Sequence, residues 1–158
     1  MPSALQSPCV TGASPMAEGE AYRMAKVLSW LKAGGDINDP RATASRHTLL
    51  MMACIENHAA LLSELIKRGA DLNDKGTGGK SALHLATIHG NNKCVESLLR
   101  AGAQANLRCA VDDTDYTDFD GMTALEIVES QLAASGPRPR LPDIARMLRE
   151  AEELQKSR

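Results

Sequence analysis

The sequence predicts an all-α fold in which helix-turn-helix units of one recurring length stack into a short solenoid. Segment 68–73 recurs as 101–106 and segment 48–53 recurs as 81–86, so two separate landmarks repeat with the same spacing of 33 residues. Aromatic residues make up only 3% of the chain. A core of aliphatic side chains between helices is therefore favoured over a β-sandwich or barrel.

The overall composition suits a single domain and excludes several classes of protein. Of 158 residues, 43% are apolar and 24% charged, and the net charge is −2. That charge argues against a protein that holds nucleic acid by phosphate contacts, which needs a basic excess. No apolar run approaches the roughly 18 residues of a membrane span.

The cysteine spacing indicates neither a metal site nor a disulfide framework. None of the four cysteines forms a C-x-x-C pair, and no histidine stands at metal-ligand spacing from them. This pattern fits a reducing compartment, so we expect the chain in the cytoplasm, with the nucleus as the alternative. The four are Cys9, Cys54, Cys94 and Cys109.

The N-terminal unit is predicted to be divergent. Residues 1–16 contain no basic-then-apolar secretory pattern, and we expect a disordered tail there. A helix is predicted over 21–32, with Trp30 closing that edge of the stack. Its inward apolar positions are Val27, Leu28 and Leu31.

The two middle units each carry start and stop signals for their helices. Thr48 and Ser81 precede an apolar helix and are predicted to cap it. Gly69 and Gly102 follow the second helix, where a left-handed residue is favoured. The second helices share an apolar stripe that must pack on a neighbouring unit. It consists of Leu61, Leu62, Leu65 and Ile66 in one unit and Cys94, Val95, Leu98 and Leu99 in the next.

The last unit begins late and ends as a cap. Segment 123–128 resembles the segment at 81 but follows it by 42 residues, which indicates an insertion of nine. The final helix is predicted to open at Asp143 and to keep a polar outer face, as a terminal repeat requires. Its inward positions are Ile144, Met147, Leu148 and Ala151.

These landmarks resemble the ankyrin repeat. Segment 79–86, GKSALHLA, and the segment LLRAGA at 98–103 are similar to the family pattern G-x-T-P-L-H-x-A followed by L-L-x-x-G-A. Met51 and Glu126 depart from it by replacing the motif histidine. The resemblance implies a right-handed solenoid of about four helix pairs with β-hairpin-like connecting loops. The predicted units are 17–42, 43–75, 76–108 and 118–154, within a domain of 17–158.

The sequence contains no recognisable catalytic motif. The patterns G-x-S-x-G, G-x-x-x-x-G-K-[ST], H-E-x-x-H and G-x-G-x-x-G are all absent. His84 stands at the motif histidine, which the resemblance assigns to hydrogen bonding within and between repeats. We therefore expect no enzyme, no cofactor and no metal.

The insertion, about 109–117, introduces an acidic run with its own character. Segment 112–120 holds five carboxylates, no basic residue and two of the four aromatic residues of the chain. The order of a calcium loop is absent. The run is interpreted either as a solvated mobile loop or as an element that attracts a basic protein and anchors it through aromatic side chains. The candidate residues are Asp112, Asp113, Asp115, Tyr116, Asp118 and Phe119.

The resemblance further implies a partner-binding surface along the concave face and the loop tips. Apolar side chains at Ile55, Ile88 and Met122 would be exposed there and form a contact strip. Asn73 is expected to hydrogen-bond within its turn, although its context resembles that of ankyrin asparagines that become hydroxylated. The remaining candidates are His47, Glu56, Thr77, Lys80 and His89.

The function predicted from this resemblance is binding of another protein. We expect a monomeric, non-catalytic adaptor, scaffold or assembly factor, with no nucleic acid or membrane as partner. The alternative is a stoichiometric inhibitor of an enzyme such as a protein kinase.

Overall fold

The computed structural model describes residues 20–39, 47–110, 119–135 and 139–157. Within these ranges the chain forms α-helices and a short 3-10 turn at Thr77–Gly79, and the predicted all-α class is confirmed. The helices are α1 (Glu20–Lys32), α2 (Leu49–Ile55), α3 (Ala59–Lys67), α4 (Ala82–Ile88), α5 (Asn92–Arg100), α6 (Ala124–Ser135) and α7 (Leu141–Lys156).

The helices form pairs that stack in two layers. The pairs are α2 with α3, α4 with α5, and α6 with α7. One layer places α4 between α2 and α6, and the other places α5 between α3 and α7. In the described part of the first unit α1 is a single helix, and the loop after it, 35–38, corresponds to the loop after α3.

The inner helices begin with side-chain caps, as predicted. Thr48 Oγ1 accepts a hydrogen bond from the backbone N–H of Met51 over 3.3 Å. Ser81 and His84 cap each other in α4 through a reciprocal pair of bonds. At the start of α6, Glu126 accepts from the Thr123 N–H over 2.8 Å, and Thr123 Oγ1 accepts from the Glu126 N–H over 3.3 Å. Each cap satisfies backbone donors that the helix itself leaves unpaired.

The core lies between the helices of successive units. The predicted stripes are buried at Leu62, Leu65, Val95 and Leu98, whereas Leu99 is half-buried. In α1, Val27 is buried and packs against this core. A continuous aliphatic core of this kind is what allows units too small to fold alone to stabilise one another.

Asparagine side chains join successive loops. Asn38 Oδ1 accepts a hydrogen bond from the backbone N–H of Asp71 over 2.9 Å. Asn73 Oδ1 accepts in the same way from the N–H of Gln104, also over 2.9 Å. The Asn73 side chain therefore links two loops, whereas the expected bond within its own turn is made by its backbone N–H, which donates to Asp71 Oδ1 over 2.8 Å.

Backbone hydrogen bonds also connect the later loops. The Ala110 N–H donates to the Gly78 carbonyl over 3.2 Å, and the Cys109 N–H donates to the Met122 carbonyl over 3.0 Å. Arg108 and Thr123 form an isolated antiparallel bridge. The loops are thus paired side by side, although no strand is formed in the described ranges.

The final helix begins earlier than predicted. It starts at Leu141, and Asp143 lies within its first turn. Pro142 favours this start because proline is tolerated in the first turn of a helix, where its missing N–H would have no helical partner. Ile144 and Leu148 are buried as expected, while Met147 and Ala151 are half-buried. The predicted tail at 1–16 lies outside the described residues.

Candidate partner-binding surface

Three candidate residues lie at equivalent positions in successive units, where each loop ends and an inner helix begins. His47, Lys80 and Met122 each stand directly before a residue that caps an inner helix. Because the inner helices α2, α4 and α6 stack, this position recurs along one edge of the solenoid. Stacking therefore brings these three residues, which are far apart in sequence, into one row. We call His47, Lys80 and Met122 the loop-root row.

The expectation that Lys80 is exposed is wrong. Only 8% of this residue is exposed, and its carbonyl accepts the Gly76 N–H over 3.0 Å, which closes the loop around it. A lysine can bury its aliphatic stem against neighbouring loops in this way. Burial lowers the pKa of His47, and the nearby Lys80 charge lowers it further. His47 is itself half-buried.

The turn before α6 holds Phe119 and Met122 in place. The Met122 N–H donates to the Phe119 carbonyl over 3.1 Å, and both side chains are half-buried. At the corresponding place in the preceding unit, Thr77 lies in the 3-10 turn and is exposed. Thr77 is therefore the accessible candidate of its loop.

Two basic residues that the sequence interpretation overlooked fasten these loops together. Lys75 Nζ donates to the Arg108 carbonyl over 3.2 Å. The Arg108 guanidinium in turn donates to the Gly121 carbonyl over 2.8 Å and reaches Glu126 over 3.0 Å. The bond from the Thr123 N–H, more than the partly exposed Arg108, holds the pKa of Glu126 below its usual value. Lys75 and Arg108 stand 33 residues apart, which is one repeat length, but that spacing does not reveal their bonds, since their partners come from other units.

The ends of the inner helices form the second part of the surface. Ile55 and Ile88 are the last residues of α2 and α4, and both are half-buried, so their expected exposure is only partial. Ile55 also packs against the core. His89 directly follows α4 and is exposed. Glu56 follows α2 and contacts His58, with 3.0 Å between Oε2 and Nε2.

Amide side chains of the following unit hold these helix ends. Asn91 Nδ2 donates to the Cys54 carbonyl over 2.6 Å and to the Ile55 carbonyl over 3.3 Å. Gln131 Nε2 donates to the Ile88 carbonyl over 3.1 Å. These bonds satisfy carbonyls that a helix leaves unpaired at its C-terminus, and they fix the position of each isoleucine. Asn91 was not among the predicted site residues because its role depends on the stacked neighbour.

The end of the acidic run lies within the described residues. Phe119 and Asp120 belong to the described turn that precedes α6. The other candidates lie outside the described residues, and their role stays a prediction. They are Asp112, Asp113, Asp115, Tyr116 and Asp118.

His84 is engaged in structural hydrogen bonds. Its Nδ1 accepts from the Ser81 N–H over 3.1 Å and lies 2.8 Å from Ser81 Oγ, and its Nε2 donates to the Leu107 carbonyl over 3.0 Å. These bonds fix the neutral tautomer with the proton on Nε2, and burial lowers the pKa of His84. Both ring nitrogens are occupied, as the resemblance implies for the motif histidine.

Two further findings concern ligands and membranes. Across the described ranges, no three His, Cys, Asp or Glu side chains are grouped closely enough to hold a metal ion. None of the helices in this part of the chain combines the length and the apolar character needed to cross a bilayer.

Comparison with known proteins gives a family. A family model of ankyrin repeats in three copies matches residues 16–109. ADP-ribosylation factor GTPase-activating protein AGD4 of Arabidopsis thaliana is 37% identical over 89 residues, which cover 56% of this chain and 10% of that protein. Ankyrin repeat and SAM domain-containing protein 6 of Mus musculus is 35% identical over 86 residues, or 54% of this chain and 9% of the relative.

A third relative shares a longer segment. The B-cell lymphoma 3 protein homolog of Mus musculus is 30% identical over 116 residues, which are 72% of this chain and 25% of the relative. The chain thus spans a quarter or less of these relatives. The family match, by contrast, extends over more than half of the chain, from the region of α1 to the loop after α5. The chain therefore belongs to the ankyrin-repeat family of protein-interaction modules.

Proposed function

We propose that the chain is a non-catalytic adaptor or scaffold that binds another protein along the loop-root row, the turns that precede it and the C-terminal ends of the inner helices. The observation that supports this proposal is the combination of apolar and polar groups on that face. Half-buried Met122 shares the loop-root row with polar His47, and half-buried Ile55 and Ile88 lie at the opposite ends of the inner helices, where His89 is exposed. Protein interfaces typically combine apolar contacts with polar ones at their rim.

The preformed loops favour binding with a small entropic cost. The Asn73 bond to the next loop and the Lys75–Arg108 bond hold neighbouring loops in one arrangement before any partner arrives. A surface that is already ordered avoids much of the free-energy cost of fixing loops upon association. The same rigidity favours recognition of a folded protein surface of complementary shape.

The acidic run is proposed to contribute electrostatic attraction. Within 112–118 the sequence supplies Asp112, Asp113, Asp115 and Asp118, together with Tyr116 as an aromatic anchor. Carboxylates clustered at the edge of an interface mainly increase the rate of encounter with a basic partner and make it salt-dependent. We therefore expect the partner to present a basic surface next to its apolar contact.

The experiment is affinity capture from a lysate with the full chain, followed by mass spectrometry. The surface variant combines Thr77→Ala and His89→Ala, since both residues are exposed. The matched control combines Lys93→Ala and Glu150→Ala, two exposed residues on the outer helices α5 and α7. A partner that the surface variant loses and the control keeps would support the proposal. Equal loss from both variants, or from neither, would contradict it.

Deleting 112–118 tests the acidic contribution separately. If the run attracts a basic partner, the deletion should slow association most strongly at low salt and change dissociation little. Association measured by surface plasmon resonance at two salt concentrations would show this. An unchanged association rate at low salt would exclude the run from recognition.

The same captured partner separates an adaptor from an inhibitor. If the partner is an enzyme, such as a protein kinase, its turnover should be measured with increasing amounts of the chain. An adaptor leaves turnover unchanged, whereas a stoichiometric inhibitor stops it at one equivalent. We propose that the chain acts as a monomer. We further propose that it is located in the cytoplasm, because its described cysteines are free thiols and such thiols suit a reducing compartment.

A further inference from the structure

The C-terminal ends of two inner helices repeat one apolar position. Ile55 ends α2 and Ile88 ends α4, and each of these helices has seven residues. The two isoleucines stand 33 residues apart, which is one repeat length, and both are half-buried. Because α2 and α4 pack side by side and begin after equivalent capping residues, the accessible parts of both side chains lie on the same face of the inner layer. We call Ile55 and Ile88 the isoleucine pair.

Side-chain amides fix the isoleucine pair before any partner arrives. Asn91 Nδ2 donates to the Ile55 carbonyl over 3.3 Å, and Gln131 Nε2 donates to the Ile88 carbonyl over 3.1 Å. Each bond comes from the following unit, so the stacking of the units sets the spacing of the pair. The axes of packed helices lie roughly 8–10 Å apart, and equivalent residues on α2 and α4 are separated by about the same distance.

This spacing distinguishes between the conformations that a partner segment could present. Along an α-helix, residues i and i+7 share one face and lie about 10.5 Å apart, at about 1.5 Å per residue. Along a β-strand, residues on one face lie about 6.6 Å apart at i+2 or about 13 Å apart at i+4, so neither spacing matches. A helix laid along the direction of stacking therefore places two apolar side chains over the isoleucine pair.

A polyproline segment has a similar repeat, but the composition of the surface argues against it. Three residues of this conformation advance about 9.3 Å and return to the same face. Recognition of such segments relies on grooves lined with aromatic side chains. The aromatic residues that the structure describes lie in α1 and in the turn before α6, away from the ends of α2 and α4. They are Tyr22, Trp30 and Phe119.

The charge beside the isoleucine pair favours a basic helix. Segments 52–58 and 85–91 contain the two helix ends, and they include one carboxylate, Glu56, and no lysine or arginine. Glu56 is partly exposed, and its Oε2 lies 3.0 Å from His58 Nε2. A helix that carries lysine or arginine beside its apolar residues therefore complements this face.

We propose that the isoleucine pair is the docking site for a basic amphipathic α-helix of the partner, which lies across α2 and α4 with apolar side chains at i and i+7. This inference rests on the proposed function, since it names the kind of segment that binds at the C-terminal ends of the inner helices. Binding of this type buries the apolar face of the partner helix and leaves its other faces in water. The next equivalent position along the stack is Ser130 of α6, so the partner residue above it should be polar.

The test uses two synthetic helical peptides as probes and the full chain with isotope-labelled isoleucine methyl groups. Both peptides consist of alanine, lysine and two leucines, spaced i, i+7 in the matched peptide and i, i+5 in the control, where they lie on different faces. Fluorescence anisotropy should show about tenfold tighter binding of the matched peptide. The chain has six isoleucines, so each methyl signal can be assigned. The matched peptide should shift the signals of Ile55 and Ile88 and leave that of Ile144 unchanged.

Variants of the chain provide the controls. Ile88→Ala should reduce binding of the matched peptide to the level of the control peptide. Ile66→Ala should leave it unchanged, because Ile66 is equally half-buried but lies on the outer helix α3. The comparison of the two peptides on the unmodified chain remains decisive even if a variant fails to fold.

Three outcomes would overturn the proposal. They are equal affinity of the two peptides, methyl shifts confined to other isoleucines, and tighter binding of a proline-rich peptide with leucines spaced i, i+3. The capture experiment with the Thr77→Ala and His89→Ala variant does not depend on these probes. It can therefore still support the proposed function if docking of a helix fails.

Discussion

The side-chain amide of Gln155 donates a hydrogen bond to the backbone carbonyl of Ala103 over 2.9 Å. Its Oε1 accepts from the N–H of Ala105 over 3.0 Å. The N–H of Gln104, which lies between these two residues, donates to Asn73 of the preceding loop. The loop after α5 is therefore held by both the preceding loop and Gln155, and the last turns of α7 act as its cap.

The first prediction follows from this cap. Gln155→Ala should lower the free energy of unfolding by about 1–2 kcal/mol, because two partly buried backbone groups lose their partner. Urea unfolding monitored by circular dichroism measures the change. Glu153→Ala, an exposed substitution in the same helix, should change stability by less than about 0.5 kcal/mol. Equal effects of the two substitutions would rule out the capping role of Gln155.

The second prediction concerns pH and His84. Burial lowers the pKa of His84 below its ordinary value of 6.5, so the unfolded chain binds a proton more readily than the folded chain. The stability contribution is therefore complete above about pH 6.5 and decreases as the pH falls towards the folded-state pKa. The lowered pKa of His47 adds a dependence of the same sign.

The measurement compares urea unfolding at pH 7.5 and 5.5. The wild type should lose stability on acidification, and His84→Met should lose less, since methionine occupies the equivalent position at Met51. The comparison uses the change in the free energy of unfolding between the two pH values and not its absolute value. An identical slope in the two proteins would show that His84 does not titrate as described.

The third prediction compares two glycines with positive φ. Gly69 has φ of 82° and no other atom near the position of an added Cβ, so Gly69→Ala should cost only the backbone strain, about 1 kcal/mol. Gly79 has φ of 63°, and an added Cβ would overlap Ala110 of the next loop. Gly79→Ala should therefore cost clearly more than Gly69→Ala in thermal unfolding. Equal melting temperatures of the two variants would contradict the close approach of Gly79 to Ala110.

The fourth prediction tests whether an asparagine in these loops stabilises the protein only when its side chain bonds to the next loop. Asn73→Ala removes the acceptor of the Gln104 N–H and should cost about 1 kcal/mol. Asn106 stands 33 residues later at the equivalent place and is exposed, and Gln155 bonds the backbone beside it. Asn106→Ala should thus be nearly neutral. Urea unfolding of both variants tests this. If Asn73→Ala left the free energy of unfolding unchanged, the asparagine bond between loops would not contribute to stability.

Particular residues show how far the sequence leads. The caps at Thr48 and Ser81 were predictable because they depend on atoms a few residues away. The burial of Leu62, Leu65 and Val95 followed from the helical period of apolar residues. The helix α7 begins two residues before its predicted start, because Pro142 is tolerated in its first turn. Local signals of this kind act within one or two turns of helix and can be read without a tertiary structure.

The surface was less predictable, because short-range signals do not reveal contacts between two units. Lys80 was expected to be exposed, yet the closure of its loop buries it. Arg108 stands one repeat length after Lys75, but that spacing does not reveal its bonds to Gly121 and Glu126 of the following unit. Asn91 likewise acts on Cys54 and Ile55 of the unit before its own. These contacts depend on the relative position of two units, which a single unit does not encode.

By itself the sequence determined the all-α class, the repeat length, the caps of the inner helices and the apolar stripes, since these follow from periodicity and short-range hydrogen bonding. How the units meet is visible only in the tertiary structure: the asparagine links between loops, the bonds of Gln155 to the loop after α5, and the bond of Asn91 to the end of α2. Such contacts join residues about 30 to 50 positions apart. They arise only when stacking brings those residues within hydrogen-bonding distance.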